Sequence, residues 1–434
     1  MRPPRRHSSR HNNTTTPPPT TSAPRRSPRL HRQDATTQPP TVALPPRRSP
    51  RLATASARKN SPEMLVEYPY LPEELVDNIL VRIRPDDPAG LAKACLGSKY
   101  WCRHICSDKF LSRNRKLHPT AASLGFLVAT EARRKSTIFV PTSTFHLEPS
   151  SIPRRYRVLD VCHGRVLFYT ISKDGESSLV IWDPITKEEH AVRMPLDDPV
   201  EEDWNAALLC GDDRCDELRC HDHESMVVLV GTYQEKMVTF GCLYSRELDK
   251  WNHGDDDEDM EDKPAEIEHQ DAVVDTGPSV VLDGKAYFPC KLGRKIVEYD
   301  YGADEIDLVD APMFAYRRIP TTMLMTARDG VLGFACVTRS KLNLWSREAT
   351  GPGGALAWEL YKVLDLTKMS GIPRLIGSND DFIWAKTGAE VHAVNRESGE
   401  FATVSKITKI IKAIPYAAFW TPSCRSIGPM VTPP

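Results

Sequence analysis

Five residues within fourteen positions carry the donor atoms that zinc prefers: Cys210, Cys215, Cys220, His221 and His223. Thiolate and imidazole at this density could hold a tetrahedral ion. Their spacing is two gaps of four residues followed by an adjacent pair, unlike the paired Cys-x2-Cys of common zinc knuckles. Reduced cysteines and solvated histidines in a loop account for the same residues, and on that preferred reading the chain needs neither metal nor cofactor. The Gly-x-Ser-x-Gly elbow, the His-Glu-x-x-His pair, the Walker loop and the Rossmann glycines do not occur. Isolated polar residues such as His163 and Asp283 read as turn formers. No active site is expected, and the chain reads as a non-enzyme.

The elements around this cluster are strands. After Leu117-His118 the sequence consists of short apolar or alternating runs broken by Gly, Asp and Pro. A three-part unit recurs: strand, turn dipeptide, strand, then a further short strand. Instances are Val158 to Val161, His163-Gly164, Val166 to Tyr169 and Leu179 to Asp183, followed later by Val280 to Leu282, Asp283-Gly284, Ala286 to Phe288 and Ile296 to Asp300. Leu324 to Thr326, Asp329-Gly330, Val331 to Val337 and Leu342 to Trp345 form another, and Phe382 to Ala385, Val391 to Asn395 and Phe401 to Val404 a last. Asp-Gly between such runs signals a hairpin whose two turn residues need positive φ. Units of this size cannot bury a face alone, which points to a β-propeller or a related barrel of repeated sheets.

Residues 71 to 110 read differently. Pro72 suits the first turn of a helix, Glu73 and Glu74 oppose its dipole, and Leu75, Ile79, Leu80 and Ile83 mark an apolar stripe. Asp87 is placed to cap a second helix with Pro88 at its first position and Leu91, Ala94 and Cys95 buried. Ser98 is placed to cap a third that carries Trp101, Ile105 and Phe110. So short a segment cannot bury all its apolar faces, so it expects a partner.

This segment resembles an F-box, the helical module that docks onto the Skp-family adaptor of cullin-based ubiquitin ligases. The resemblance rests on Leu71, Pro72, Leu75, Ile79, Leu80, Ile83, Asp87, Pro88, Leu91, Cys95, Trp101 and Phe110. It implies adaptor contacts by Leu71, Pro72, Leu75, Ile79, Leu80, Ile83, Pro88, Leu91 and Trp101. Gly97-Ser98-Lys99-Tyr100 departs from the family pattern, and Gly97 is expected to weaken the third helix by about 1 kcal/mol. The strands that follow resemble the F-box-associated β domain of large plant families, especially those of grasses. That likeness rests on Asp160 to Leu167, Trp182 to Thr186, Leu243 to Arg246 before Trp251, Asp329 to Gly333, Leu344 to Arg347 and Pro415-Tyr416. Together they imply a non-catalytic substrate-recognition subunit of an SCF-type ligase. Its partners would be the Skp-family adaptor, through it a cullin, and a protein substrate that the resemblance does not name.

At 434 residues with 40% hydrophobic content, the chain is long enough for a tail and two folded units. Its net charge of −1 hides an asymmetry, because residues 1–60 hold 13 Lys or Arg against the single acid Asp34. This tail is rich in Pro, Ser, Thr and Arg and almost free of aromatics, so it is expected to be disordered. Within it Arg25 to Leu30 recurs as Arg47 to Leu52, with Ser27 and Ser49 as possible phosphosites before proline. The repeat reads as a nuclear import signal, a contact for nucleic acid or another anionic surface, or a duplication without a role. A nuclear scaffold acting outside a ligase is therefore the alternative function, although nucleic acid is not the expected partner. An acidic run at 255–262 reads as a solvated loop. No apolar run reaches the ~18 residues of a membrane span, and no apolar core follows the basic N-terminus. With cysteines at irregular spacing that suit reduced thiols, these features lead us to expect a protein of the nucleus or cytoplasm. The expected architecture is α+β and multidomain: the disordered tail (1–60), an all-α helical module (68–118) and an all-β, propeller-like repeat domain (119–424).

Overall fold

The structure is a computed structural model that describes residues 71–118, 121–130, 136–148, 151–153, 155–184, 187–195, 203–212, 215, 224–252, 264–312, 321–350, 354–406 and 410–418. These belong to one compact unit, Pro69–Pro434; the other, Met1–Tyr68, lies outside the described residues, as do the Arg25–Leu30 and Arg47–Leu52 repeat, Ser27, Ser49 and the acidic run 255–262.

Among the described residues, four short helices come first: α1 (Glu73–Leu80), α2 (Pro88–Gly97), α3 (Lys99–Ile105) and α4 (Asp108–Leu117). Local capping chemistry explains their boundaries. The carboxylate of Asp87 accepts from Gly90 N at 3.1 Å, with Pro88 in the first turn; Ser98 Oγ accepts from Trp101 N at 3.4 Å and Ser107 Oγ from Phe110 N at 3.3 Å. Four expectations are corrected. Pro72 is the N-cap of α1, not a helical residue, and Ile83 lies beyond the end of α1. The expected third helix is two, because Ser107 caps a new helix before Phe110. Gly97 ends α2 instead of sitting inside α3, so the weakening expected of it does not arise.

The described residues that follow form six antiparallel sheets, the blades of a six-bladed β-propeller. Blade 2 runs from Arg157–Cys162 to Glu189–Arg193, blade 3 from Trp204–Cys210 to Lys250–Trp251 with Ala265–Glu268 added, and blade 4 from Val280–Leu282 to Glu305–Asp310. Blade 5 runs from Thr321–Thr326 to Ala355–Asp365, and blade 6 from Arg374–Ser378 to Phe401–Ser405. Blade 1 closes the ring from both directions, with Ala122–Thr130 and Ser136–Pro141 beside Ile410–Ala418. The innermost strands of successive blades are neighbours around a central channel.

Six apolar clusters fill the six gaps between blades. The inner strands therefore bury both faces, while outer strands such as Ala355–Asp365 stay largely exposed. Ala206 and Leu208 join the cluster shared with blade 2, while Ala207 and Leu209 join the one shared with blade 4. This is why many strands read as continuous apolar runs and not as alternation. Outer strands are fastened by indoles, with Trp251 Nε1 donating to Arg193 O and Trp358 Nε1 to Asp310 O, each at 2.8 Å. The hairpin turns follow their residue types: His163-Gly164 (φ 47° and 82°), Asp283-Gly284 (49° and 80°) and Asp329-Gly330 (60° and 76°) all have paired positive φ. Among the described residues, no helix is long and apolar enough to cross a membrane.

Candidate functional site

The helices complete a core of their own and still leave apolar residues in solvent. Val76, Leu80, Leu91, Ala94, Cys95, Ile105 and Phe110 are buried together, with Ile83 and Trp101 packed against them. On the other side of α1, Leu71 is 44%, Leu75 48% and Ile79 46% exposed. The adaptor-contact set therefore divides. Leu71, Pro72, Leu75 and Ile79 face outward; Leu80, Pro88 and Leu91 are buried inside the module, and Ile83 and Trp101 are half-buried. Covering a large apolar side chain completely stabilises by about 1.5–3 kcal/mol, so half-covered residues leave roughly half of that available to a partner.

A buried carboxylate holds α1 in place. Asp77 is 2% exposed, bonded to His104 of α3, and accepts from Arg113 Nη1 of α4 at 3.1 Å. Burial pushes its carboxyl up, but His104 and Arg113 outweigh burial and hold it below the ordinary aspartate value of 3.8. Its stabilisation is therefore present above that value and is lost as pH falls through the lower folded-state value. Asp77→Ala is expected to destabilise the helices by about 3 kcal/mol, because it leaves the buried His104 and the half-exposed Arg113 without their carboxylate. Proteolysis of the helical segment under native conditions would check this; unchanged resistance would refute it.

A second polar constellation lies where blades 1 and 2 meet the approach to blade 4. The cavity there, of about 370 Å³, is lined by Arg157, Asp275, Thr276, Lys291 and Lys412 among others. Lys412, on the closing strand Ile410–Ala418, is buried and donates to Leu159 O at 2.7 Å and Gly277 O at 3.3 Å. Asp160 accepts from Leu208 N at 2.9 Å and Val161 N at 2.8 Å. These bonds tie blades 1, 2 and 3 and the approach to blade 4 to one another. Desolvation lowers Lys412 to about 8, and desolvation raises Asp160 to about 6. Neutral Asp160 thus contributes stability below 3.8 that is lost as pH rises through about 6. Neutral Lys412 contributes stability above 10.5 that is lost as pH falls through about 8. By urea unfolding, the stability of the wild type relative to Lys412→Met should rise by about 3 kcal/mol between these two Lys412 values. Identical pH profiles for the two proteins would refute the assignment.

Of the Cys/His cluster, Cys210 ends the first strand of blade 3 and Cys215 follows in the connection; Cys220, His221 and His223 lie outside the described residues. His163, read from sequence as a turn former, is one, and its imidazole also approaches these thiols: the donor atoms of His163, Cys210 and Cys215 lie within 4.8 Å of one another. The available signal was the doublet Cys162-His163, which repeats as Cys220-His221. Thiols at Cys95, Cys102, Cys162, Cys242, Cys290 and Cys336 are free, whereas Cys106 is disulfide-bonded, against the expectation of reduced thiols.

No family model matches the chain, and no curated protein matches it. Among solved structures it is similar to a chain of the nidogen/laminin complex, with 10% identity, a TM-score of 0.37, and coverage of 68% of this chain and 98% of that one. TolB from Acinetobacter baumannii matches at 8% identity and a TM-score of 0.40, over 74% of this chain and 73% of that one. AztD from Citrobacter koseri matches at 11% identity and a TM-score of 0.31, over 64% and 78% respectively.

Proposed function

We propose that this chain is a non-catalytic substrate-recruiting adaptor of an SCF-type ubiquitin ligase in the nucleus or cytoplasm. In this reading the helices dock onto a Skp-family adaptor, and through it a cullin, while the propeller holds the protein to be ubiquitylated. The observation that carries it is the outward face of α1. Leu71, Leu75 and Ile79 stay half-exposed although Val76 and Leu80 of the same stretch close the module's own core. A helical module that served only as a cap on its neighbour would have no reason to leave these three in water. The propeller suits the second role, since a rigid ring displays many loops from which binding surfaces are built. Ubiquitin transfer would then be accelerated by effective concentration, with the chemistry supplied by other subunits.

The test is co-purification of the Skp-family adaptor and cullin with the full chain and with a version lacking residues 71–118. Capture by the full chain alone supports the proposal, and proteins retained by both become substrate candidates. Failure of the full chain to retain the adaptor would overturn it.

A further inference from the structure

We propose a zinc site formed by His163, Cys210 and Cys215, bridging blades 2 and 3. The three residues come from separate points of the chain, and the fold converges them. His163 occupies the first position of the two-residue turn that joins Arg157–Cys162 to Arg165–Ile171, at φ 47°. That turn is pinned: Tyr416 Oη donates to Gly164 O at 3.1 Å, and Arg165 Nη1 donates across the blade boundary to Ser225 Oγ at 2.6 Å. The two thiols stand at the mouth of the hairpin between Trp204–Cys210 and Ser225–Tyr233. Gly211 N donates to Glu224 O at 2.8 Å and closes the hairpin, and Cys215 N donates to Asp212 O at 3.1 Å in a turn that carries Cys215 back toward Cys210.

The donor set selects the metal. Two thiolates and one imidazole are borderline-soft ligands that suit Zn²⁺ over Ca²⁺ or Mg²⁺, which take oxygen. Tetrahedral bonds to sulfur and nitrogen put neighbouring donors about 3.7 Å apart. The observed envelope of 4.8 Å contracts to this by rotamer adjustment of side chains that are all half-buried. Water or a further donor completes the fourth position. Binding is coupled to loss of the thiol protons, so it weakens at low pH. The ion would fasten the turn of one blade to the first hairpin of the next, a structural role independent of what the helices or the propeller bind.

The principal competing outcome is a disulfide between Cys210 and Cys215, so the experiment separates the two. Full-length protein purified under reductant is assayed for zinc by elemental analysis, then stripped and titrated with Co²⁺. We expect about one zinc per chain and a cobalt spectrum with thiolate charge transfer and strong tetrahedral d–d bands. Cys210→Ser, Cys215→Ser and His163→Asn should each weaken zinc binding at least about tenfold, whereas Cys102→Ser on α3 should leave it unchanged. Asn tolerates the positive φ of position 163, so that variant removes the ligand and keeps the turn. Circular dichroism of the stripped variants shows that each is folded. Substoichiometric zinc in the reduced protein overturns the proposal. So do unchanged affinity in all three variants and a Cys210–Cys215 disulfide that persists under reductant in the peptide map.

Discussion

Leu75→Asp combined with Ile79→Asp is expected to reduce capture of a Skp-family adaptor by at least about 100-fold while leaving the fold intact. The size follows from interface energetics: a few apolar anchors carry most of the binding energy, and truncating or charging each costs about 2 kcal/mol or more. The specificity follows from burial. Both residues are almost half-exposed, so the unbound protein loses little when they become polar. Leu75 lies in the first turn of α1, where a carboxylate opposes the dipole favourably; Ile79 lies near the C-terminus, where the opposite cost is about 0.5 kcal/mol. Val76→Asp is the contrasting variant. Val76 is fully buried, so a charge there should unfold the helices along with binding. Titration calorimetry against the purified adaptor, with melting of each variant alone, measures both quantities. Undiminished affinity in the double variant would remove the outward face of α1 from the interface, and with it the principal support for the ligase reading.

Gly377→Val should be the most damaging single substitution in the propeller. A Cβ at this position would lie 2.0 Å from Ala413 O, a backbone atom of the closing strand, where no side chain can swing aside. The first strand of blade 6 meets Ile410–Ala418 here, at the seam where the two ends of the propeller's chain join the ring. Forcing the backbones apart disturbs the cluster of Phe126, Val128, Ile376, Trp384 and Ala413 that fills the gap between blades 6 and 1. Overpacking of this kind costs about 3 kcal/mol or more, which corresponds to roughly 5 °C in the melting midpoint of a domain this large. Gly97→Ala is the comparison, since a Cβ there meets nothing within 4 Å and the residue ends α2. It should be neutral or stabilising by up to about 1 kcal/mol. A Gly377→Val protein that melts with the wild type would mean that the seam is looser than its backbone spacing implies.

Much of this molecule is legible in its sequence, and the legible parts share a cause. Asp87, Ser98, Pro88 and the Asp-Gly pairs act within three or four residues, through a cap hydrogen bond, a fixed φ or a tolerated positive φ, so residue type alone determined where helices began and hairpins turned. Four of the six blades were visible as repeats because their first two strands are joined by such turns or by short connections. The other two were not. Blade 3 joins its first strands through the long Cys/His connection, and blade 1 is assembled from Ala122–Thr130 and Ile410–Ala418, segments that no local pattern relates.

Tertiary structure alone decided three further matters. It sorted one apolar helix into buried Val76 and Leu80 and exposed Leu75 and Ile79, a choice set by where α3 and α4 stand. It buried Lys412 of blade 1 near Asp160 of blade 2, and it carried the imidazole of His163 from one blade to the thiols of the next. Each depends on the angle between neighbouring sheets and on closure of the ring. Both are properties of packing among segments up to about 250 residues apart, as in the bond from Lys412 to Leu159, and a pattern read along the chain carries no information about them.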